Sequence, residues 1–168
     1  MQSRGYPAHS LVELLVVIAL IAFIALISGI PGKFLSRTLV RAEVEKLRTV
    51  CRYLQRRAMA TGTPQRLQFN RTANSYQFNG EKHTLPSGVQ FDLPPNAKGP
   101  PSSPLKPLTS PITFDNSQIV FQPDGIFQAG AAYLTETKKQ YLYALTVGAG
   151  AVSYIRTYYY SGRWHPIS

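Results

Sequence analysis

The sequence predicts an α+β protein: a long N-terminal helix, membrane-spanning in its first half, followed by a small antiparallel β-sheet or sandwich domain. Three observations carry that expectation. An apolar run from Leu11 to Ile30 is broken only by Glu13. Helical periodicity then continues as far as Thr61. Beyond Gly62 the pattern changes to short strands punctuated by Asn, Gly and Pro turns. The expected divisions are a leader over 1–8, a helix over 9–61, and a β-rich domain over 62–168 containing a Pro-rich loop at 94–111.

The N-terminal segment begins short and polar, with one positive charge at Arg4 before Ala8. The run that follows reaches the roughly 20 residues that a membrane-spanning helix needs. It is long for a signal peptide, contains a carboxylate, and continues into further helix instead of a polar cleavage region. Glu13 is its informative residue, because an ionised carboxylate at the edge of a bilayer core needs a partner. Cleavage after Ala8 would place the new amine of His9 one helical turn from Glu13. In a helical assembly the same carboxylate can neutralise the amine of a neighbouring subunit.

Pro31 and Gly32 interrupt the run where a kink is expected. Beyond them Val40, Val44, Leu47, Cys51, Leu54 and Ala58 follow helical spacing and predict one buried stripe. Cys51 lies on it and reads as a small buried hydrophobe. A second stripe holds Arg37, Arg41, Arg48, Arg52 and Arg56. It is either a solvated face or a basic surface for acidic neighbours or phosphates. Thr61-Gly62-Thr63-Pro64 supplies the stop signal. A continuous helix from His9 to Thr61 would be roughly 80 Å long.

Strands are predicted at Gln65–Phe69 and Ser75–Phe78, with Asn79-Gly80 as a two-residue turn. A third, Val89–Leu93, runs into Pro94–Pro111, where seven of eighteen residues are proline. That composition cannot join a central sheet and predicts an extended surface loop. Strand signals resume at Ile119–Phe121, turn at Pro123-Asp124-Gly125, and continue at Tyr141–Val147, Val152–Tyr160 and Arg163–Ile167. Gly148-Ala149-Gly150 and Ser161-Gly162 are the expected turns. In the Val152–Tyr160 strand, Tyr154, Arg156, Tyr158 and Tyr160 alternate with Ile155, Thr157 and Tyr159, which predicts a half-buried strand.

Composition narrows the function classes. Lys and Arg exceed Asp and Glu by 18 − 8 = 10, which favours acidic partners such as nucleic acid or anionic lipid. One cysteine excludes an internal disulfide framework, and the three histidines show no metal-ligand spacing. No nucleophile–base grouping, Gly-rich phosphate loop or paired carboxylates stand at a recognisable spacing. The expectation is a protein without cofactor, metal or enzymatic activity.

The stretch Ala8-His9-Ser10-Leu11-Val12-Glu13-Leu14-Leu15-Val16-Val17 resembles the prepilin cleavage and methylation motif, with Ala8 and His9 where that motif has Gly and Phe. Two further segments, Ile119-Val120-Phe121-Gln122-Pro123-Asp124-Gly125 and Tyr160-Ser161-Gly162-Arg163, resemble the Phe-x-Pro-x-Gly segment and last hairpin of the GspH/FimT family. The Leu54-Gln55-Arg56-Arg57-Ala58 helix end is similar to that family's too. The resemblance implies cleavage between Ala8 and His9 by a prepilin peptidase, N-methylation of His9, and subunit assembly through Glu13. It implies a minor pseudopilin of a type II secretion system, single-pass in the bacterial inner membrane. Its C-terminal domain would lie in the periplasm, and other pseudopilins or pilins would be its partners. The alternative is a FimT-like minor type IV pilin that binds DNA for uptake, with Arg156 and Arg163 as candidate contacts. Lys138-Lys139, Tyr154, Tyr158 and Trp164 lie near them in sequence.

Overall fold

Leu, Val, Ile, Ala and Phe fill almost every position of the first helix, α1 (Leu11–Ser28). The second helix, α2 (Gly32–Thr61), starts directly after Pro31, a residue that lacks the N–H needed inside a helical ladder. The computed structural model describes residues 11–28, 32–148 and 153–167. The leader, the Ala8–His9 pair, the expected kink at Pro31 and the Ala149-Gly150 turn lie outside them. The chain divides into two units, 1–35 and 36–168.

The expected single helix over 9–61, membrane-spanning in its first half, is corrected by this arrangement. Two helices form in its place, and among the described residues none is long and apolar enough to cross a membrane. The eighteen residues of α1 rise about 27 Å, short of the roughly 30 Å of hydrocarbon that a span must cross. Glu13 occupies one position of its first turn. The side chains from Leu11 to Ile24 are exposed.

In the second unit the apolar stripe of α2 is fully buried: Val40, Val44, Leu47, Cys51, Leu54 and Ala58 all have 0% exposure. Burial pushes the Cys51 thiol pKa up, so the residue packs as a hydrophobe. Among the described residues, nine strands form two antiparallel sheets. β1 (Gln65–Asn70), β2 (Ser75–Phe78), β3 (Glu81–Thr84) and β5 (Gln118–Phe121) make a four-stranded sheet in the order β3-β2-β1-β5. β4 (Val89–Gln90), β6 (Gly130–Glu136), β7 (Leu142–Gly148), β8 (Tyr154–Tyr160) and β9 (Trp164–Pro166) make a five-stranded sheet in that same order. Asn79 and Gly80 both take positive φ, 50° and 81°, as a tight hairpin turn between β2 and β3 requires.

The expected Val89–Leu93 strand ends after Gln90. The Phe91 N–H donates to Asn74 Oδ1 at 3.1 Å instead of to a neighbouring strand, and Phe91 buries its ring against Phe69. β3 and β6 carry no strand signal in the sequence reading. β3 is a polar edge strand, and β6 is buried on both faces, so neither shows the alternation of a half-buried strand.

Each face of the five-stranded sheet has its own cover. Ala132, Leu134, Tyr143, Leu145, Val147 and Ile155 join the main core with the α2 stripe. On the opposite face Ala131, Tyr133, Leu142 and Ala144 pack with Leu93, just before the Pro-rich segment, and with Ala97 and Leu108 within it. Trp164 fastens that segment: its Nε1 donates to the Lys98 carbonyl at 3.1 Å, and its ring lies against Gly99, where a side chain would clash. The predicted surface loop is therefore the lid of a second, smaller core.

Candidate anion-binding trough

Helical geometry sets the site. Arg37, Arg41, Arg48 and Arg52 fall within an arc of about 60° on α2, beside the stripe that anchors the helix. That flank adjoins β8 and β9. Glu45, on the same flank, ties helix to sheet: its Oε1 accepts from the Thr157 hydroxyl at 2.6 Å, and its Oε2 accepts from Arg48 Nη1 at 3.0 Å. The predicted arginine stripe thus borders a sheet and does not face open solvent alone. Arg56 lines none of the concavities described next.

Three adjoining concavities run along this border. The first, about 490 Å³, is lined by Arg48, Arg52 and Gln55 of α2 with Ile155 and Arg156 of β8. A second, about 230 Å³, shares Pro166 and Ile167 with it and adds Arg37, Arg41 and Tyr159. The third, about 340 Å³, shares Arg37, Tyr143 and Tyr159 with the second. Among the described residues five arginines line the trough, and Glu45 is ion-paired to one of them, Arg48.

Arg48 is ion-paired to Glu45, whereas Arg156 and Arg37 lie over aromatic rings. Arg156 sits 4.7 Å from the Tyr154 ring centroid, and Arg37 sits 5.9 Å from that of Tyr141. A side-chain hydrogen bond with Tyr143, and that residue's charge, push the Arg37 pKa further up. Arg48 carries a buried Nε with no hydrogen-bond partner among the described residues. Such a set of fixed positive groups can hold carboxylates or phosphates by paired N–H donors.

Of the residues singled out from sequence, Glu13 lies exposed in the first turn of α1, and Ala8 and His9 fall outside the described residues. Arg156 and Arg163 are not brought together. Arg156 is near the start of β8, while Arg163 is in the turn after its end, roughly 15 Å further along the strand direction. Trp164 is engaged with the Pro-rich segment, and Lys139 is ion-paired to Asp92. Arg48 and Arg52, which line the same concavity as Arg156, were visible in sequence only as a helical period. His83 stacks on Tyr76 and Phe78, and His165 on Tyr159. Among the described residues no three potential metal ligands gather.

Compared with known proteins, the chain matches no family model, no curated protein and no solved structure. The resemblance to prepilins rests on its quoted residues alone. What the geometry adds is a basic trough on one unit and an uncovered apolar helix on the other.

Proposed function

We propose that this chain is a pilin-like assembly subunit, a minor pseudopilin of a type II secretion system, which packs into a periplasmic filament through α1. The observation that carries the reading is α1 itself. It is a helix apolar on all sides, exposed from Leu11 to Ile24, with one carboxylate in its first turn. Exposed apolar area of that extent is covered in a working protein, by lipid or by other subunits. Glu13, fifth after Ala8, stands where it would meet the His9 amine of a neighbour after processing. Such a subunit is associated with the bacterial inner membrane before assembly, carries its β-rich unit in the periplasm, and catalyses no reaction. A prepilin peptidase is its first partner, and other pseudopilins are the next.

The DNA-uptake alternative draws on the arginine trough. In that reading Arg156, near the start of β8, and Arg163, beyond its end, would be separate contacts, and Trp164 donates to the Lys98 carbonyl.

The filament reading predicts two linked results from one membrane preparation. Intact mass should show a chain beginning at His9 with one added methyl group. Glu13→Ala should then reduce recovery of partner subunits on pull-down at least tenfold, with the protein still in the membrane fraction. A chain that retains Met1, or undiminished pull-down by the variant, rules the reading out.

A further inference from the structure

We infer that one end of the second unit, where the β6–β7 and β8–β9 turns meet the second turn of α2, docks on the phosphate headgroups of an anionic lipid surface. This role rests on one part of the filament reading, that lipid covers α1 before assembly.

Sheet order decides which groups share that end. In the run β6-β7-β8-β9 each strand is antiparallel to the next, so the connections at 137–141 and 161–163 emerge at the same end. Arg37, in the second turn of α2, joins them. With Gln140 and Tyr141 from the first connection, and Ser161 and Gly162 from the second, it lines the concavity of about 340 Å³.

The charge at this end is one-sided. Arg37, Lys138 and Arg163 are exposed there. Two carboxylates reach the same end, and both are already engaged. Asp92 is shared by Lys139 and Arg71, and the buried Glu136 accepts the backbone N–H groups of Gln140 and Tyr141. The exposed charge left over is positive, as is the formal net charge of +10 on the whole chain. An anion with oxygen acceptors is the complementary partner.

Two observations favour a lipid surface over nucleic acid. The first is how the tyrosines of this end are used. Tyr141 has Arg37 over its ring at 5.9 Å, Tyr159 stacks on His165 at 4.9 Å, and Tyr160 meets Trp164 at 5.2 Å. Rings already packed against neighbours in the fold are poor platforms for successive bases. Half-buried tyrosines beside exposed cations suit the headgroup level of a bilayer, where an apolar ring and a polar tip are both accommodated. The second is the chain itself. Arg37 follows the last residue of α1 by 37 − 28 = 9 positions, a tether of at most about 30 Å. A lipid surface that covers the exposed apolar side chains of α1 is thereby kept at high local concentration near these cations. Apolar and basic elements together anchor a chain more firmly than either does alone.

The test uses the full chain with Ser161→Cys, which carries an environment-sensitive dye at an exposed position of the β8–β9 turn. Cys51 is fully buried and stays unlabelled. The chain is added from non-ionic detergent to preformed vesicles, either phosphatidylcholine alone or with about 30% phosphatidylglycerol, at physiological salt. Flotation reports whether the chain is on the vesicles, and the dye reports whether this end meets headgroups. The chain should float with both. The dye emission should move to the blue and brighten roughly twofold or more with anionic vesicles, and stay as in buffer with neutral ones. High salt, or R37Q/K138Q/R163Q, should remove most of the dye response and leave flotation unchanged. Flotation with both vesicles and the same dye signal on each would overturn the inference while α1 keeps its lipid cover. Flotation with neither would overturn both. A dye response to soluble glycerol phosphate or to a DNA duplex, as large as that to anionic vesicles, would make this a general anion site and overturn the lipid assignment. Should the triple variant fail to fold, the labelled chain on the two vesicle types, at physiological and high salt, still decides.

Discussion

The two faces of the five-stranded sheet are built from the same strands but covered by opposite kinds of chain. The inner face meets α2, whose six buried residues repeat at helical spacing. The outer face meets the Pro-rich segment, whose contributions, Leu93, Ala97 and Leu108, follow no period. A regular element advertises its buried face in sequence, because burial must recur with the geometry of the element. An irregular one does not. The segment is held from outside by single contacts instead: Trp164 to Lys98, and Asp92 to Lys139 and Arg71.

The largest predicted difference is between matched truncations on the two faces. Leu145 is fully buried on the inner face, and Leu145→Ala should cost about 2–5 kcal/mol in urea unfolding, the sum of transfer and cavity losses. Leu108 is only half-buried under the outer segment. Leu108→Ala should cost about 1 kcal/mol or less, with local collapse of the segment absorbing the loss. Equal losses at both sites would mean that the outer segment belongs to one cooperative core with α2.

The same contrast explains what was legible beforehand. The α2 stripe, β1, β2 and the Asn79-Gly80 turn were readable because each follows from local periodicity or from a φ requirement that Asn and Gly meet. β6 was not, since Ala131 and Tyr133 pack with Ala97, Leu93 and Leu108 while Ala132 and Leu134 pack with the α2 stripe, erasing the alternation. The helix at the N-terminus was read too long, because an apolar run by itself does not report where a helix stops. At the site, the arginine period on α2 could be seen, as could Arg156. That they line one concavity could not, because it depends on how the flank of α2 adjoins β8, and residues more than a hundred positions apart, Glu45 and Thr157, settle that.

A smaller effect, and of opposite sign, is expected at Tyr133. Its side chain is fully buried on the outer face near Trp164, and its hydroxyl has no hydrogen-bond partner among the described residues. Burial drives its pKa up, keeping the phenol neutral. Tyr133→Phe removes a polar atom that burial penalises and keeps the ring, so it should stabilise the protein by about 1 kcal/mol. A loss of similar size in the same urea assay would show that the hydroxyl is bonded in solution and that the outer core is wetter than the inner one.

The smallest effect, and the one that most directly tests how the outer segment is held, belongs to Asp92 at its start. One carboxylate oxygen is 3.3 Å from Arg71 Nη2, and the other pairs with Lys139 in the turn between β6 and β7. Partial burial works to raise the Asp92 pKa, but the hydrogen bonds from Lys139 and the Leu93 backbone, with the charges of Lys139 and Arg71, outweigh it, and the value is lowered. A carboxylate lowered on folding contributes stability that is present above its unfolded pKa of about 4 and lost as pH falls through its lower folded value. Partly exposed pairs of this kind contribute about 0.2–1 kcal/mol. Asp92→Asn should therefore be less stable than wild type by that amount at neutral pH. The gap should narrow as the pH falls below the ordinary carboxylate range and close below the pKa of Asp92 itself. Added salt at neutral pH should narrow it too, by screening the exposed Arg71. A gap that persists unchanged into acid would show that the carboxylate's shape, and not its charge, holds the Pro-rich segment against the sheet.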